Sequence, residues 1–506
     1  MPRNPVAAAI LVLTACSALA QDAESGPAPR QTVSFVPRVS VTETVTNNVH
    51  LVPSGQQSDA VTEITPGIRI NIEGSRLKTY FDYAVSEVLY EKSPASRRLL
   101  NSLNTYGVLE AVDNWAFLDF SGSIAQQAIS AFGTPSTDNA VINANQTEVS
   151  TYRVSPYVRG LLGDLANYEA RVSRSVTNSA TAGAGSSVNI SDAIAKVGTN
   201  HGQVGLDWSV DASHQAVDYS AGRATAAERL NLTLPYAITP QFKVSIDGGR
   251  ESNNYTSVNA KSYGTGGFGV TWSPSELSKL TASRDHRSFG DAHNVSLESR
   301  TSRTVWKFSD IKDVTATPGQ TTSAGTGSIY DLLFSQFASV QPDPIARAQL
   351  VNAYLQANGM SPTASVSSGF LTSTMALQRR QDLSFALLGV RDTVTFIAMR
   401  SLTSNLDALS LGSGDLANGT VVHQRGFSAN YAHRLTPDAS LNVLASQQVN
   451  TGSTNVQDAR LRSLNVNLTR KAGANSVLTL GLRHVISNGA LPYVETAVIG
   501  NLNVPF

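Results

Sequence analysis

The stretch TEITPGIRINIEGSRLKTYFDYAVSEVLY, residues 62–90, alternates apolar and polar side chains along two segments with a turn between them. Ile64, Pro66, Ile68, Ile70 and Ile72 fall on one face of the first segment, opposite Glu63, Thr65, Arg69, Asn71 and Glu73. Gly74 and Ser75 turn the chain. Leu77, Thr79, Phe81, Tyr83 and Val85 then face away from Lys78, Tyr80, Asp82 and Ala84. Successive side chains of a strand point to opposite sides, so this spacing predicts a hairpin in which each strand has one apolar face.

The pattern recurs along the chain, in WAFLDFSGSIAQ, LNLTLPYAI, FKVSIDGG, LNVLASQQV, RSLNVNLTR and SVLTLGLRH. Tight turns at Asp113-Asn114, Gly163-Asp164, Thr239-Pro240-Gln241, Ser273-Pro274-Ser275, Thr436-Pro437-Asp438 and Ala472-Gly473 alternate with longer polar loops at 134–146, 178–192 and 406–420. Thr/Ser-Pro followed by an alternating strand is a weak internal repeat, seen at 238–246, 273–283 and 436–446. Proline suits such turns because its φ is preset and it has no amide hydrogen to leave unpaired. Short turns at one end and long loops at the other are the asymmetry of an outer-membrane barrel. The expected fold is therefore all-β: a transmembrane antiparallel outer-membrane β-barrel of about 20 strands (18–22), the count being even as in bacterial barrels. A soluble β-sandwich or propeller is the alternative, weakened by the lack of blade motifs.

Composition agrees. Charged residues make up 15% of the 506, against ~25% in soluble domains. Lys+Arg and Asp+Glu are both 38, so the net charge is zero. This excludes the basic surplus of a nucleic-acid binder, and it suggests a surface partly covered by something other than water. No apolar run is long enough for a transmembrane helix.

Residues 1–20 read as a signal peptide: Arg3, the apolar run VAAAILVL at 6–13, and Ala18-Leu19-Ala20 before Gln21. A second processing reading is that Leu13-Thr14-Ala15-Cys16 acts as a lipobox, with Cys16 lipidated. Cys16 is the sole cysteine, so cleavage after Ala20 leaves no thiol for disulfides, metal or catalysis. The barrel would then span 21–311 and 370–506, on either side of an insert at 312–369.

That insert breaks the β pattern. SIYDLLFSQFASVQPDPIARAQLVNAYLQANG, 328–359, reads as two short helices, the second with Asp343 as N-cap, Pro344 at N1 and Gly359 as its stop. Ile345, Ala348, Val351 and Leu355 form its apolar stripe. Counting turns places the insert on the periplasmic side, where it either plugs the lumen or caps the rim.

The chain ends AVIGNLNVPF, with Val498, Gly500, Leu502, Val504 and Phe506 on one face. In a barrel this is the closing strand, which must pair with the first strand near 33–46 so that no edge is left in lipid. The apolar row Val498, Leu502, Val504 and Phe506 also resembles the C-terminal signal read by the outer-membrane barrel assembly machinery. Pro505 departs from that signal by removing one ladder donor.

No Walker loop, HExxH or GxSxG is present. Asp285-His286 invites comparison with the Asp-His pair of omptin-type membrane proteases, with Asp291 and Asp310 as second acids. Adjacent strand residues face opposite ways, however, so such a pair works only in a loop. His201, His214 and His293 are the other histidines of this region. We expect no enzyme, cofactor or metal. An outer-membrane hydrolase with an Asp/His site at the barrel mouth is the alternative. Arg284, Arg287, Arg300 and Arg303 cluster between two neighbouring strands, and Arg379-Arg380 follow later; the first four are candidate lumen arginines, and those that alternate with apolar neighbours are expected to face the lumen, since arginine at lipid mid-depth costs about 2–4 kcal/mol. Such a strip could attract anionic polysaccharide or balance lumen carboxylates in a static network. Trp115, Trp208, Trp272 and Trp306 fit interfacial girdles near strand ends.

Several of these residues come together in one resemblance. Residues 238–306 contain, in order, a Thr-Pro turn, a strand ending GGRESNNY, then GFGVTWSPSE, RSFG at 287–290 and RTSRTVW at 300–306. With the later Asp-Leu-Leu-Phe and GVRDTVTF, the chain resembles the outer-membrane β-barrel proteins associated with PEP-CTERM/exosortase systems of Gram-negative bacteria. The resemblance covers most of the mature chain. It implies an outer-membrane location and a part in export or anchoring of envelope or extracellular-matrix material in an exopolysaccharide setting. The implied partners are outer-membrane lipid, anionic polysaccharide and export-system components, with no nucleic acid. The family carries no agreed catalytic motif. A purely structural barrel with a filled lumen remains a further alternative.

Overall fold

The computed structural model describes residues 32–506 apart from 182–186, 200–204, 318–332, 335–336, 338–346, 348–349, 352–368, 408, 410–413, 454–457, 474–475 and 490. The segment read as a signal peptide, Cys16 and His201 lie outside the described residues, as does most of the segment read as a two-helix insert.

The strands run in order from β1 (Thr32–Thr46), β2 (Asp59–Glu73), β3 (Leu77–Tyr90), β4 (Arg98–Val112) and β5 (Ala116–Ala128) to β6 (Gln146–Leu162), β7 (Ala166–Ser179) and β8 (Val188–Gly198). There follow β9 (Gly205–Leu206), β10 (Ser209–Tyr219), β11 (Thr225–Thr239), β12 (Phe242–Asn253), β13 (Lys261–Ser275), β14 (Ser278–Arg287), β15 (Gly290–Arg300) and β16 (Thr304–Thr315). The last group is β17 (Ala376–Leu388), β18 (Asp392–Asn405), β19 (Val421–Thr436), β20 (Ala439–Thr451), β21 (Asp458–Lys471), β22 (Val477–Gly489) and β23 (Tyr493–Pro505). Neighbours pair antiparallel, and β1 pairs with β23, which closes the sheet. β9 is a two-residue piece against β11, while β8 pairs directly with β10. Among the described residues the wall is thus an outer-membrane β-barrel of 22 long strands, at the top of the expected range.

Closure is the expected pairing of the last strand with the first. Arg38 stands opposite Pro505, Val41 opposite Leu502 and Thr46 opposite Ala497. The Phe506 N–H adds a 2.9 Å bond to the Pro37 carbonyl beyond the end of the ladder. Val498 and Leu502 are exposed on the outer wall, beside Val41 and Val45 of β1, and Phe506 is 72% exposed. The apolar row therefore faces lipid, and the seam leaves no open edge.

The same alternation runs round the ring. Outward positions are apolar, as in Phe35, Leu232, Phe268, Leu464 and Leu482, while inward positions carry Arg38, Arg69, Asp82, Glu251 and Arg483. The tight turns expected from sequence all lie at one end. Asn114 and Gly163 turn there with φ of 54° and 56°, in the left-handed region that tight reversals use. Trp115, Trp208, Trp272 and Trp306 also stand at this short-turn rim, all partly exposed, as an interfacial girdle does.

The connection from β16 to β17 lies at the opposite end, with the long loops 47–58, 129–145 and 406–420. The insert therefore departs from the long-loop rim, correcting the expected periplasmic placement. Its described residues are Leu333, Phe334, Phe337, Arg347, Leu350 and Val351, all helical.

Candidate functional site

The lumen is the candidate site, and charge pairs on its wall hold it. On β1–β3, Asp82 accepts from Arg38 Nη2 at 2.5 Å, Arg69 Nε at 2.9 Å and the Tyr80 hydroxyl at 3.1 Å. On β7, Arg171 binds Asp119 at 2.6 Å and Glu169 at 3.1 Å and lies over the Tyr157 ring at 3.8 Å. On β14, Arg287 binds buried Glu251 at 2.9 Å and Asp313 at 2.6 Å. In each set an arginine reaches a carboxylate one or two strands away, so these pairs act as ties across the wall.

The four arginines read from sequence do not form one lumen strip. Arg287 and Arg300 face inward, Arg300 with Glu298 at 3.5 Å. Arg284 is paired with outward Phe268 in register and is largely exposed on the outer wall beside Asp291. Arg303 lies in the short turn 301–303, before β16 begins. The reason is parity: positions an odd number apart on one strand cannot share a face. The same rule splits Arg379, outward on Asp310, from Arg380, inward on Asp382.

Parity also takes Asp285 and His286 apart. His286 is on the outer wall with Asp291 at 3.2 Å, while Asp285 faces inward near Asp247. His293 pairs with Asp310 at 2.9 Å, again outside, and His214 faces Glu228. Among the described residues no three His, Cys, Asp or Glu side chains are grouped to hold a metal.

At the long-loop end the loops fold inward. Val49 and Leu51 of loop 47–58, with Ala140 and Val141 of loop 129–145, are buried against inward-facing Val61, Val88, Leu461, Val485 and Tyr493. Polar latches hold them. Arg483, 4% exposed at its side chain, binds Glu495 at 2.7 Å and also Asp138 of loop 129–145. Glu495 accepts the Thr46 hydroxyl at 2.9 Å, which ties the latch to the barrel seam. Asp415, in the 3-10 turn Gly414–Gly419, accepts from Ser130 Oγ at 2.6 Å and the Ala131 amide at 2.5 Å. Burial pushes the Asp415 carboxyl above its ordinary range, against the pull of those two bonds. Arg223 grips Asp407 through two 3.1 Å bonds and caps the Asn254 and Tyr255 carbonyls.

The insert reaches deeper. Leu333 and Val351 have no exposed surface and pack with Val305, Ala386, Ile397, Met399 and Ala432. These wall residues face inward, and Val305 and Ala386 lie beside the short-turn end of β16 and β17. An insert that leaves the long-loop rim thus has apolar side chains seated near the opposite end of the lumen. Leu333 and Val351 thus pack on the inward face of the wall. A groove of about 700 Å³ lies elsewhere, mainly on the outer wall, where Ala170, Ala193, Ala195 and Ala212 leave a hollow beside Val172 and Leu230.

Sequence reading missed the mouth latches. Arg483 and Glu495 could have been found as charged residues on inward rows near strand ends, but their loop partners have no periodic signal.

No protein-family model and no curated protein matches the chain. Solved structures similar to it include the FrpB iron transporter from Neisseria meningitidis, with 11% identity, 93% of this chain and 81% of that one covered, and a TM-score of 0.49. The siderophore receptor PirA from Acinetobacter baumannii shares 8% identity over 94% and 81% of the two chains, with a TM-score of 0.48. The outer membrane protein opdK from Pseudomonas aeruginosa shares 9% over 94% and 98%, with a TM-score of 0.34.

Proposed function

We propose that the protein is a gated outer-membrane conduit. Its lumen is closed at rest by its own insert and long loops, and it opens for export of envelope or extracellular-matrix material. The resemblance to barrels of PEP-CTERM/exosortase systems supports a polysaccharide cargo. The observation that carries gating is the seat of Leu333 and Val351 on the inward apolar patch around Ile397 and Met399. A ring of 22 strands is wide enough to need filling, and the filler here is a chain segment between two strands. Its release need not break the ladder.

Planar-bilayer recording tests this reading. The full chain should be silent or open only briefly, and deletion of residues 318–368 should give a stable open pore. If both proteins are silent, the conduit is refuted in favour of a filled structural barrel. If both are permanently open, the gate is refuted.

A further inference from the structure

The outer wall carries a feature that lumen function does not use. Going from the short-turn end toward the long loops, outward positions on β17, β18, β19 and β21 are apolar and then turn cationic. On β19, Tyr431, Ala429 and Phe427 give way to Arg425. On β18, Val394, Phe396 and Ala398 give way to Arg400, and on β21, Leu468 and Leu464 give way to Arg462 and Arg460. Register makes a row of them. Lys312 stands opposite Arg379, and Arg400 stands opposite Arg425. Arg425 and Arg460 both flank Val449, whose side chain is buried between their strands.

The height of this row matters. Ten residues separate Leu435, exposed at the short-turn end of β19, from Arg425. At ~3.3 Å per residue and a tilt of ~40°, that is a rise of about 25 Å, the height of a barrel's lipid-facing band. The cations therefore stand where acyl chains end and the headgroups of the outer leaflet begin.

Carboxylates are scarce among them. Arg379 is held by Asp310, but among the described residues Arg400, Arg425, Arg462 and Lys312 have no carboxylate partner, and Arg460 Nε is buried without an acceptor. Arg400 and Arg425 are like charges directly across a ladder, an arrangement that costs stability unless an anion lies between them. The opposite wall differs: near its long-loop ends Glu43, Glu87, Glu148 and Glu228 stand outward among Arg174 and Arg250.

We infer that the outward face of β16–β21 binds the phosphate groups of an amphiphile in the outer leaflet, with Arg400 and Arg425 straddling one phosphate and Arg460 and Arg462 taking another. Guanidinium forks suit phosphate oxygens, and the apolar wall below receives the acyl chains. The occupant is a phosphorylated lipid. A free phosphate would not use the apolar zone.

The test is lipid retention by the purified full chain after exchange through phosphatidylcholine vesicles doped with lipid A. We expect wild type to retain lipid A, and R400Q/R425Q to retain at least fivefold less. R174Q/R250Q, on the other wall, should match wild type. Dephosphorylated lipid A, tested on wild type alone, should be retained at least fivefold less, and millimolar inorganic phosphate should not displace the intact lipid. Equal retention of phosphorylated and dephosphorylated lipid A, or equal loss in both variants, overturns the inference. Displacement by inorganic phosphate at that concentration also overturns it, in favour of a free-anion site. None of these readouts depends on conductance, so failure of the gate leaves them interpretable.

Discussion

Replacing Leu333 by alanine should unseat the insert while sparing the barrel. Leu333 has no exposed surface and belongs to the cluster of Val305, Ala386, Ile397, Met399 and Ala432. Truncating a leucine at such a site costs about 2–5 kcal/mol, through lost transfer energy and the cavity left behind. The wall strands keep their ladders, so the loss falls on seating of the insert. Taking ~3 kcal/mol, and tenfold per 1.4 kcal/mol, the unseated population rises on the order of a hundredfold. A thiol reports this directly, because the only cysteine is Cys16, within the segment read as a signal peptide. With Ala386→Cys on the wall beneath the insert, a bulky maleimide should react on the order of a hundredfold faster in Leu333→Ala than in the parent. Leu350→Ala, at an exposed position of the same insert, should change the rate little. Equal labelling in all three proteins, with each still running as a folded barrel on an unheated gel, would refute the seating.

Four further outcomes follow from the latches, ties and seam. Removing Asp82 leaves Arg38 and Arg69 facing each other in the wall, so Asp82→Ala should destabilise the barrel by about 3–5 kcal/mol in urea unfolding, whereas Asp164→Ala in the turn 163–165 should not. Arg483→Met leaves Glu495 and Asp138 without their cation and should expose loop 129–145 to protease, with the barrel core still resistant. The raised Asp415 carboxyl binds a proton more readily in the latched state, so its contribution to latching is full below the ordinary carboxylate value of ~3.9 and is lost as pH rises through its own higher value. Protease cutting in loop 406–420 should accordingly increase as pH rises across that window, and Asp415→Asn should flatten the dependence; a profile unchanged by that substitution excludes Asp415 as the titrating group. Deleting Phe506 should lower insertion yield, since its ring completes the lipid-facing row and its amide extends the seam to Pro37; normal yield would reduce the ring to ordinary packing.

The parts of this fold that repeat were legible in the sequence. Period-two alternation in 62–90 gave one face to lipid and one to the lumen, and the closing strand was readable because its apolar row continues to Phe506. Single residues were legible only where parity was applied throughout. Arg284 and Arg287 are three apart, so one strand could never have turned both inward. The side of the insert was lost to counting. The connection at 288–289 has two residues yet belongs to the long-loop end, and one hairpin assigned to the wrong end reverses every later connection. The mouth latches were not legible at all, because Asp138 and Asp415 meet their partners through loops whose course no periodicity fixes.

The inward wall itself argues that a filler belongs there. A lumen bathed in water should be polar along its inward rows, and at mid-wall on β1–β3 and β7 these rows carry arginines tied to Asp82 and Asp119. On β16–β19 the inward row instead runs through Val305, Ala386, Ile397, Met399 and Ala432. Contiguous apolar surface facing water is unfavourable, and a patch of this kind marks a contact. Leu333 and Val351 supply that contact, with Phe334 and Phe337 packed beside them, and Arg347 lies over the Phe334 ring at 4.8 Å. Wall and insert are therefore matched in sequence as well as in space. Leu333, Phe334, Phe337 and Val351 lie in sequence between β16 and β17 and pack on residues of β16–β19. That combination of a local tether and an apolar seat is what a reversible gate requires.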